Sequence, residues 1–222
     1  MYSRFQLHAG RLELASWANV PVNEIPNRRP TEMDGGEKLH YLILRFNAQT
    51  NHRELVWMQA GLVPSYAQDD TGADLRIEAH AEAIPSSSWL GTAFRRRRCL
   101  VPAKLLKEHE RLSSGTYREC SFAPTSNEVF SLAAVWDSWT NNAGHTIETF
   151  AVISILTAPL LRPLFERMPV IIEPQDQDRW LHSSTHDPLP FDALKPLSAI
   201  ELRKWEMMPC TTVDPAVSLL TD

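Results

Sequence analysis

The 222-residue sequence has few of the residues that mark specialised protein classes. Its three cysteines are an odd number at wide spacing, which argues against a disulfide framework. We therefore expect buried free thiols at Cys99, Cys120 and Cys210. No apolar run reaches the roughly 20 residues that cross a bilayer, and the first residues lack a secretory leader pattern. These absences exclude a disulfide-stapled or helical membrane protein and favour a cytoplasmic one.

The sequence also lacks a positive net charge. It has 27 acidic and 22 basic residues, which give a net charge of -5 and a pI near 5.9. A dedicated duplex-DNA binder usually presents a broad basic surface, so any nucleic-acid contact must come from a local patch. The run Arg95 to Arg98 is the candidate. Because alternate strand side chains point to opposite faces, we expect one or two of these arginines to contact an anion and the others to form salt bridges.

Glycine is scarce beside proline, with 8 glycines and 16 prolines. This composition predicts many short elements between turns, and therefore an α+β fold. Runs rich in β-branched and aromatic residues predict strands at Leu39 to Phe46, Glu54 to Ala60, Arg98 to Pro102, Val129 to Ser138, Thr149 to Leu156 and Met168 to Ile172. Helical patterns lie at Gly10 to Trp17, Ala158 to Glu166, Gln175 to Leu181 and within Asp192 to Met207. No linker is long enough to mark a boundary, so we expect one domain over residues 1–222.

Five separated segments carry a resemblance to one family. They are Met1 to Phe5, Gly61 to Tyr66, Glu78 to Ala83, Arg96 to Ala103 and Phe165 to Val170. Together they resemble the SRAP family, the SOS response-associated peptidase or abasic-site-processing proteins, most specifically in the block RRRCLVPA. The resemblance is clearest over residues 1–181. It implies an α+β fold with a strongly bent, mostly antiparallel sheet resembling an open barrel, and with helices packed outside.

The resemblance also implies a chemistry. In that family the initiator methionine is removed, and the cysteine behind it captures the ring-opened aldehyde of an abasic site in single-stranded DNA as a thiazolidine. The same cysteine is assigned to autoproteolysis. A glutamate and a histidine shuttle protons, while an asparagine and an arginine hold the nucleotide. The expected partner is therefore single-stranded DNA, with no metal or other cofactor and no membrane.

This sequence departs from the family at most of those positions. Tyr2 stands at the cysteine, Glu78 at the asparagine, His80 at the arginine and Phe165 at the histidine. Glu108 falls in the register of the catalytic glutamate and is the implied catalytic position that remains. The implied DNA-binding positions are Arg4, Tyr66, His80 and Glu82.

The departures have physical consequences. A phenol, with a pKa of about 10, cannot close a five-membered ring with a backbone amine, so Tyr2 excludes thiazolidine chemistry. Its bulk also predicts that the initiator methionine stays on. The carboxylate of Glu78 repels DNA phosphate, and Phe165 removes the imidazole expected near Glu108. We therefore expect a diverged SRAP protein, related to abasic-site processing but without covalent catalysis or autoproteolysis.

Other interpretations remain open. The acidic pI and Glu78 favour a non-catalytic module whose remodelled cleft binds another ligand or a protein partner. His80 and Glu82 also spell the His-x-Glu of zinc-dependent nucleobase deaminases, although Cys210 has no partner cysteine beside it. Charge alone would make Glu108 part of a solvated turn or helix end. The ring of Tyr66 could stack on a base or pack on Pro64.

Overall fold

The computed structural model describes residues 2–27, 39–71, 77–111, 114, 116–159, 162, 166–182 and 188–213. The strands are β1 Tyr2–Gln6, β2 His40–Asn47, β3 His52–Ala60, β4 Glu78–His80, β5 Arg98–Ala103, β6 Leu105–Arg111, β7 Tyr117–Pro124, β8 Phe130–Thr140, β9 Thr146–Leu156, β10 Arg167–Pro169, β11 Ile171–Ile172, β12 Trp205–Met207 and β13 Thr211–Val213. The α-helices are α1 Arg11–Ala18, α2 Ser88–Arg96, α3 Gln177–Leu181 and α4 Ala199–Leu202. Short 3-10 helices lie at Val22–Glu24, Ala81–Ala83, Pro174–Asp176 and Phe191–Ala193.

The larger sheet closes into a barrel-like ring. Its order is β10-β9-β3-β2-β5-β8-β11, and a further pairing between β8 and β9 joins the strands β9, β3, β2, β5 and β8 into a circle. Most pairings are antiparallel, while β3 and β4 each run parallel to β9. The rings of Tyr41 and Phe150 meet across the intervening β3, 5.8 Å apart. This contact shows which face of the sheet is the interior.

Helices α1, α2 and α3 pack on the outer face of the ring. Their apolar residues share one buried cluster with outward residues of the strands, including Leu44, Leu100 and Ile153. In helix α2 the buried residues Leu90, Ala93 and Phe94 recur at helical spacing. The structure therefore confirms the α+β fold with a bent, mostly antiparallel sheet and helices outside.

The smaller sheet caps one end of the barrel. Its order is β1-β6-β7-β12, and β13 also pairs with β7. Strand β6 continues directly from β5 across Lys104, and the side chains of Phe5, Leu106, Phe122 and Trp205 pack into the interior cluster. We call this the capped end of the barrel. The other end, where Arg45 lies 4.5 Å over the ring of Trp136, is the charged end.

Several expectations from the sequence need correction. Cys120 and Cys210 form a disulfide, so the expectation of free thiols was wrong for two of the three cysteines. The spacing of 90 residues could not show this, because the pairing of β13 with β7 brings the two together. Cys99 is the buried free thiol that was expected, and burial raises its pKa.

Of two further expected helical segments, only the second can be compared with the structure in full. The expected helix at Ala158 to Glu166 lies mostly outside the described residues, and the parts that are described form a turn in which the Arg162 amide donates to the Ala158 carbonyl. The segment Asp192 to Met207 contains α4, as expected, but it ends in the strand β12. In the described ranges no helix is long and apolar enough to span a membrane.

Candidate functional site

The first strand lies beside the strand that carries position 108. In the antiparallel pairing of β1 with β6, Tyr2 stands opposite His109, Ser3 opposite Glu108 and Arg4 opposite Lys107. The charged stretch around Glu108 is therefore a strand, and the turn or helix end that its charge alone indicated is wrong. The backbone thus brings positions 2, 4 and 108 together. Their side chains, and the whole of Phe165, lie outside what the structure describes.

A second group of expected positions meets at Arg167. The Arg167 Nη2 atom lies 2.6 Å from Glu82 Oε2, and its Nε atom lies 3.9 Å from Glu78 Oε1. The same guanidinium donates to the hydroxyl of Ser154 at 3.1 Å and to its carbonyl oxygen at 3.0 Å. One cation is therefore shared by two carboxylates, so the group carries a local excess of negative charge.

The register of β4 explains this grouping. Strand β4 runs beside the last part of β9, with Glu78 at Val152 and His80 at Ser154. Ala79 packs into the outer cluster, so Glu78 and His80 point to the interior face by strand alternation. The C-terminal half of β9 runs toward the capped end, because β8 and β9 are antiparallel and the small sheet covers the start of β8. The group thus lies toward the end where β1 and β6 pair.

Glu82 is held in its ionised form. Partial burial acts to raise its pKa, but hydrogen bonds from Arg167 and from the backbone, together with the charge of Arg167, lower it. A carboxylate with a lowered pKa is a poor proton donor at neutral pH. The lowered pKa therefore argues against Glu82 as a proton donor in this arrangement. His80 is exposed beside it.

Tyr66 lies at the other end of the barrel. The Ser65 amide donates to Asp137 Oδ2 at 2.9 Å, and the Trp139 indole donates to the Ala67 carbonyl at 2.8 Å, which fixes the loop around Tyr66. Asp137 is opposite Thr149 on β9, about 16 Å along that strand from Ser154. Tyr66 is 68% exposed, so its ring lies largely in solvent rather than on Pro64. The structure therefore separates Tyr66 from the Arg167 group.

The arginine run divides between surface and core. Arg95 and Arg96 are exposed in the last turn of α2. Arg97 forms the expected salt bridge, 2.5 Å from Asp137. Arg98 has no salt bridge among the residues that the structure describes, and burial is the cause of its pKa shift, so not every arginine of the run meets an anion or an acid. It is buried and donates to the carbonyl oxygens of Phe94, Trp180 and His182, so it joins the ends of α2 and α3. Burial lowers its pKa to about 10.

The shared partner Asp137 places Arg97 next to the Tyr66 loop, because it accepts both from Arg97 and from the Ser65 amide. Tyr66 and Arg97 therefore lie on the same surface at the charged end, and the exposed Arg95 and Arg96 precede Arg97 in the chain. We call this surface the Tyr66 patch.

The zinc interpretation gains no support from this geometry. Glu82 is bound by Arg167, and among the residues that the structure describes no three His, Cys, Asp or Glu side chains form a group that could hold a metal ion. Cys210 is bonded to Cys120.

Comparison with known proteins decides the family. The sequence model of the family described as SOS response associated peptidase (SRAP) matches residues 1–218. The chain belongs to the SRAP family. The resemblance inferred from the five sequence segments is therefore confirmed.

Similar proteins carry related descriptions. The abasic site processing protein YobE of Bacillus subtilis (strain 168) is 28% identical over 156 residues, which cover 66% of this SRAP chain and 70% of YobE. The abasic site processing protein YoqW of Bacillus phage SPbeta is 27% identical over 144 residues, 64% of this chain and 63% of YoqW. A crystal structure of a Bordetella bronchiseptica protein has a TM-score of 0.71 at 18% identity, covering 95% of this chain and 98% of that one. At that identity the likeness shows the fold alone.

Arg167 and Ser154 are site residues that the sequence did not single out. Arg167 lies within a segment that resembles the family, in which Phe165 is the position that the resemblance implies. The signal available was the charged residue immediately before the apolar Met168 to Val170. Its partner Glu82 is 85 residues away, so the pairing became visible only in the fold.

Proposed function

We propose that this SRAP protein binds single-stranded DNA that contains an abasic site and holds it without a covalent cross-link. Family membership and relatives named abasic site processing proteins support the DNA part of the proposal. The observation that carries the non-covalent part is Tyr2, which occupies the position opposite the Glu108 strand where the family has its cysteine. Tyrosine supplies no thiol for ring closure.

No other cysteine can take over this role. Thiazolidine formation needs an amine and a thiol on adjacent carbons, which an internal cysteine lacks. Cys120 and Cys210 are bonded to each other, and Cys99 is fully buried with a raised pKa. A buried thiol with a raised pKa is a weak nucleophile.

Lysines near the first strand are also engaged. Imine formation with an aldehyde needs a neutral, accessible amine, and an ion pair opposes both conditions. Lys104 Nζ lies 2.8 Å from Glu13, and Lys107 Nζ lies 3.1 Å from Glu119. These contacts support retention of DNA by non-covalent forces.

The charges at the two ends of the barrel suggest how single-stranded DNA would lie on the protein. The carboxylates of Glu78 and Glu82 at the capped end disfavour phosphate, but they can accept hydrogen bonds from the hydroxyl groups of an abasic sugar. The Tyr66 patch offers the complementary chemistry, with guanidinium groups for phosphate and a ring for a neighbouring base. The two sites are about 16 Å apart along β9, a distance that a few nucleotides of single strand can span.

The test is binding of labelled single-stranded DNA, with and without one abasic site, at several salt concentrations. We expect tighter binding to the abasic strand and affinity that falls as salt rises. Replacing both Arg95 and Arg96 by alanine should weaken binding to both strands and reduce the salt slope by about 1.4, or about 0.7 for each phosphate contact with a single strand. Arg203→Ala, which removes an exposed arginine directly after α4, is the control and should leave binding unchanged. An affinity that changes neither with salt concentration nor on replacement of Arg95 and Arg96 would refute the proposal.

A second candidate is a module that binds a cationic or neutral ligand at the capped end. The observation that favours it is the excess of negative charge where Glu78 and Glu82 share Arg167. Under this proposal single-stranded DNA would not bind at any salt concentration. The same titration therefore separates the two functions.

A further inference from the structure

The chain crosses the outer edge of the small sheet just before the end of the described residues. Strands β12 and β13 both pair antiparallel with β7, with Trp205 opposite Pro124 and Thr211 opposite Glu119. Between them the Met208 amide donates to the Ser121 carbonyl. We call Trp205–Val213 the strap. Its two strands have three residues each, so backbone pairing alone holds it weakly.

A covalent bond reinforces the strap at its middle. Cys210 is bonded to Cys120 on β7, with the two Cα atoms 4.3 Å apart. Cys120 is 2% exposed, whereas Cys210 lies in the exposed part of the strap. An external thiol can therefore reach the Cys210 side of the bond. Access to one sulfur is the condition for thiol–disulfide exchange.

Other oxidisable sulfur lies in the same segment. Met207 is 48% exposed and Met208 is 40% exposed, and both immediately precede Pro209 and Cys210. Exposure makes thioether and thiol sulfur susceptible to oxidants, and sulfoxide formation makes a methionine polar. The strap thus gathers its redox-reactive groups at one surface.

The strap also closes part of the barrel. The ring of Trp205 meets that of Phe130 edge-on, with centroids 4.8 Å apart, and packs into the interior cluster at the capped end. With Lys204 it forms one wall of a cavity of about 320 Å³, whose other walls include Glu128 and Ile171. Release of the strap would remove this wall and free one edge of β7.

We propose that the Cys120–Cys210 disulfide is a redox-controlled clasp on the strap. In the oxidised form the bond fixes the strap to β7. In the reduced form the short strands β12 and β13 detach, which opens the cavity and exposes the β7 edge. Strand β7 separates the strap from position 108 on β6, and β7 and β6 together separate it from position 2 on β1.

The exchange steps balance. A thiolate of a dithiol attacks Cys210 Sγ and breaks the Sγ–Sγ bond, and Cys120 leaves as a thiolate that takes up a proton. The second thiolate of the dithiol attacks the mixed disulfide and releases Cys210. Two electrons pass to the protein, and the dithiol becomes a cyclic disulfide. Oxidation by glutathione disulfide reverses the change and yields two molecules of glutathione.

The test is hydrogen exchange of the full chain, followed by mass spectrometry, before and after reduction with dithiothreitol. We expect amides of residues 205–213 and of the β7 edge to exchange at least about tenfold faster after reduction, while β5 and β8 stay unchanged. Reoxidation with glutathione disulfide should restore protection. Equal protection of the strap in both states would overturn the proposal, as would failure of the two thiols to pair under glutathione disulfide.

Matched variants sharpen the test. Cys210→Ser changes an exposed residue, so the fold should persist, and its strap should exchange rapidly with or without dithiothreitol. Cys99→Ala removes the remaining cysteine and should retain the full response to reduction. A response that disappears in Cys99→Ala and persists in Cys210→Ser would contradict the clasp.

The consequence for DNA rests on the proposed function, but the clasp itself does not. Hydrogen exchange needs no DNA, so its outcome stands if the DNA proposal fails. If both hold, reduction should change the affinity for abasic single-stranded DNA in the wild type and in Cys99→Ala, and leave it constant in Cys210→Ser. A response of Cys210→Ser equal to that of the wild type would contradict the coupling.

Discussion

The barrel and the small sheet differ in how they are held together. Every residue of β5 is buried, and the barrel packs apolar side chains on both faces. The small sheet contains the charge-rich strand β6, ends in an edge strap and is fastened by a disulfide. The segment that resembles the family most closely lies in β5, while the replaced position 2 and position 108 lie in the small sheet. The fold can therefore persist while the chemistry at the capped end changes.

Arg98 tests whether the barrel depends on its buried groups. Arg98→Met should lower the free energy of unfolding by about 3–5 kcal/mol, since it leaves the carbonyls at the ends of α2 and α3 without their donor. Urea denaturation measures the change. Arg96→Met is the control in the exposed turn beside it and should change stability by less than about 0.5 kcal/mol. If the two changes lowered the free energy of unfolding equally, buried Arg98 would contribute no more to stability than exposed Arg96.

Reduction of the disulfide tests how much the Cys120–Cys210 bond contributes to the stability of the protein. Reduction should lower the free energy of unfolding by about 2–4 kcal/mol, because the bond closes a loop of 90 residues in the unfolded chain. Urea denaturation of oxidised and reduced protein gives the difference. The Cys120→Ser, Cys210→Ser double variant should match the reduced protein in both conditions. Identical curves for oxidised and reduced wild type would refute the prediction.

A change at Glu78 tests how much this carboxylate at the capped end weakens DNA binding. Glu78→Gln should tighten binding of single-stranded DNA by about two- to fivefold at low salt, because it removes one repulsive charge beside Arg167. The gain should shrink as salt rises. Glu128→Gln removes an exposed carboxylate at the cavity wall and serves as the control. Equal gains in both variants would show a net-charge effect and would contradict a local role for Glu78.

The smallest expected effect concerns the proton on Glu82. Arg167→Gln should return the lowered pKa of Glu82 toward the ordinary value, and NMR titration of the carboxyl carbon measures it. Because the pKa is lowered in the folded protein, the pair stabilises the fold above the ordinary pKa of glutamate and loses that contribution as the pH falls through the folded pKa. Half of the Glu82 side chain is exposed, so this contribution is less than about 1 kcal/mol. An unchanged pKa in Arg167→Gln would contradict the pairing.

The same contrast explains what could be predicted from the sequence. Strands β2, β3, β5, β8 and β9 were predicted because their residues are β-branched, aromatic or apolar. Strand β6, with the sequence LLKEHER, was not, because its charge pattern resembles a solvated turn. A run of apolar residues indicates a strand that is buried on both faces. Strand β6 of the small sheet is polar, so its sequence lacks this pattern.

The site was predicted only where the family resemblance reached. Position 2 and position 108 were expected together, and their strands pair. The partners of Arg167 and Cys210 were not foreseen, since 85 and 90 residues separate them from Glu82 and Cys120. Tyr66 was expected among the DNA-binding positions with Glu82, but its anchoring through Ser65 places it at the charged end. Sheet register, which local sequence does not encode, decided each of these cases.

The most direct test of non-covalent binding is incubation of the protein with single-stranded DNA that carries one abasic site. The N-terminus is first checked by intact mass. The products are then separated on a denaturing gel and on a native gel. We predict a shifted band on the native gel and no adduct on the denaturing gel. Tyr2→Cys restores the family's cysteine at position 2 and provides the matched comparison. A denaturation-stable adduct of the wild-type chain would contradict the account, because it would require a nucleophile other than the missing cysteine.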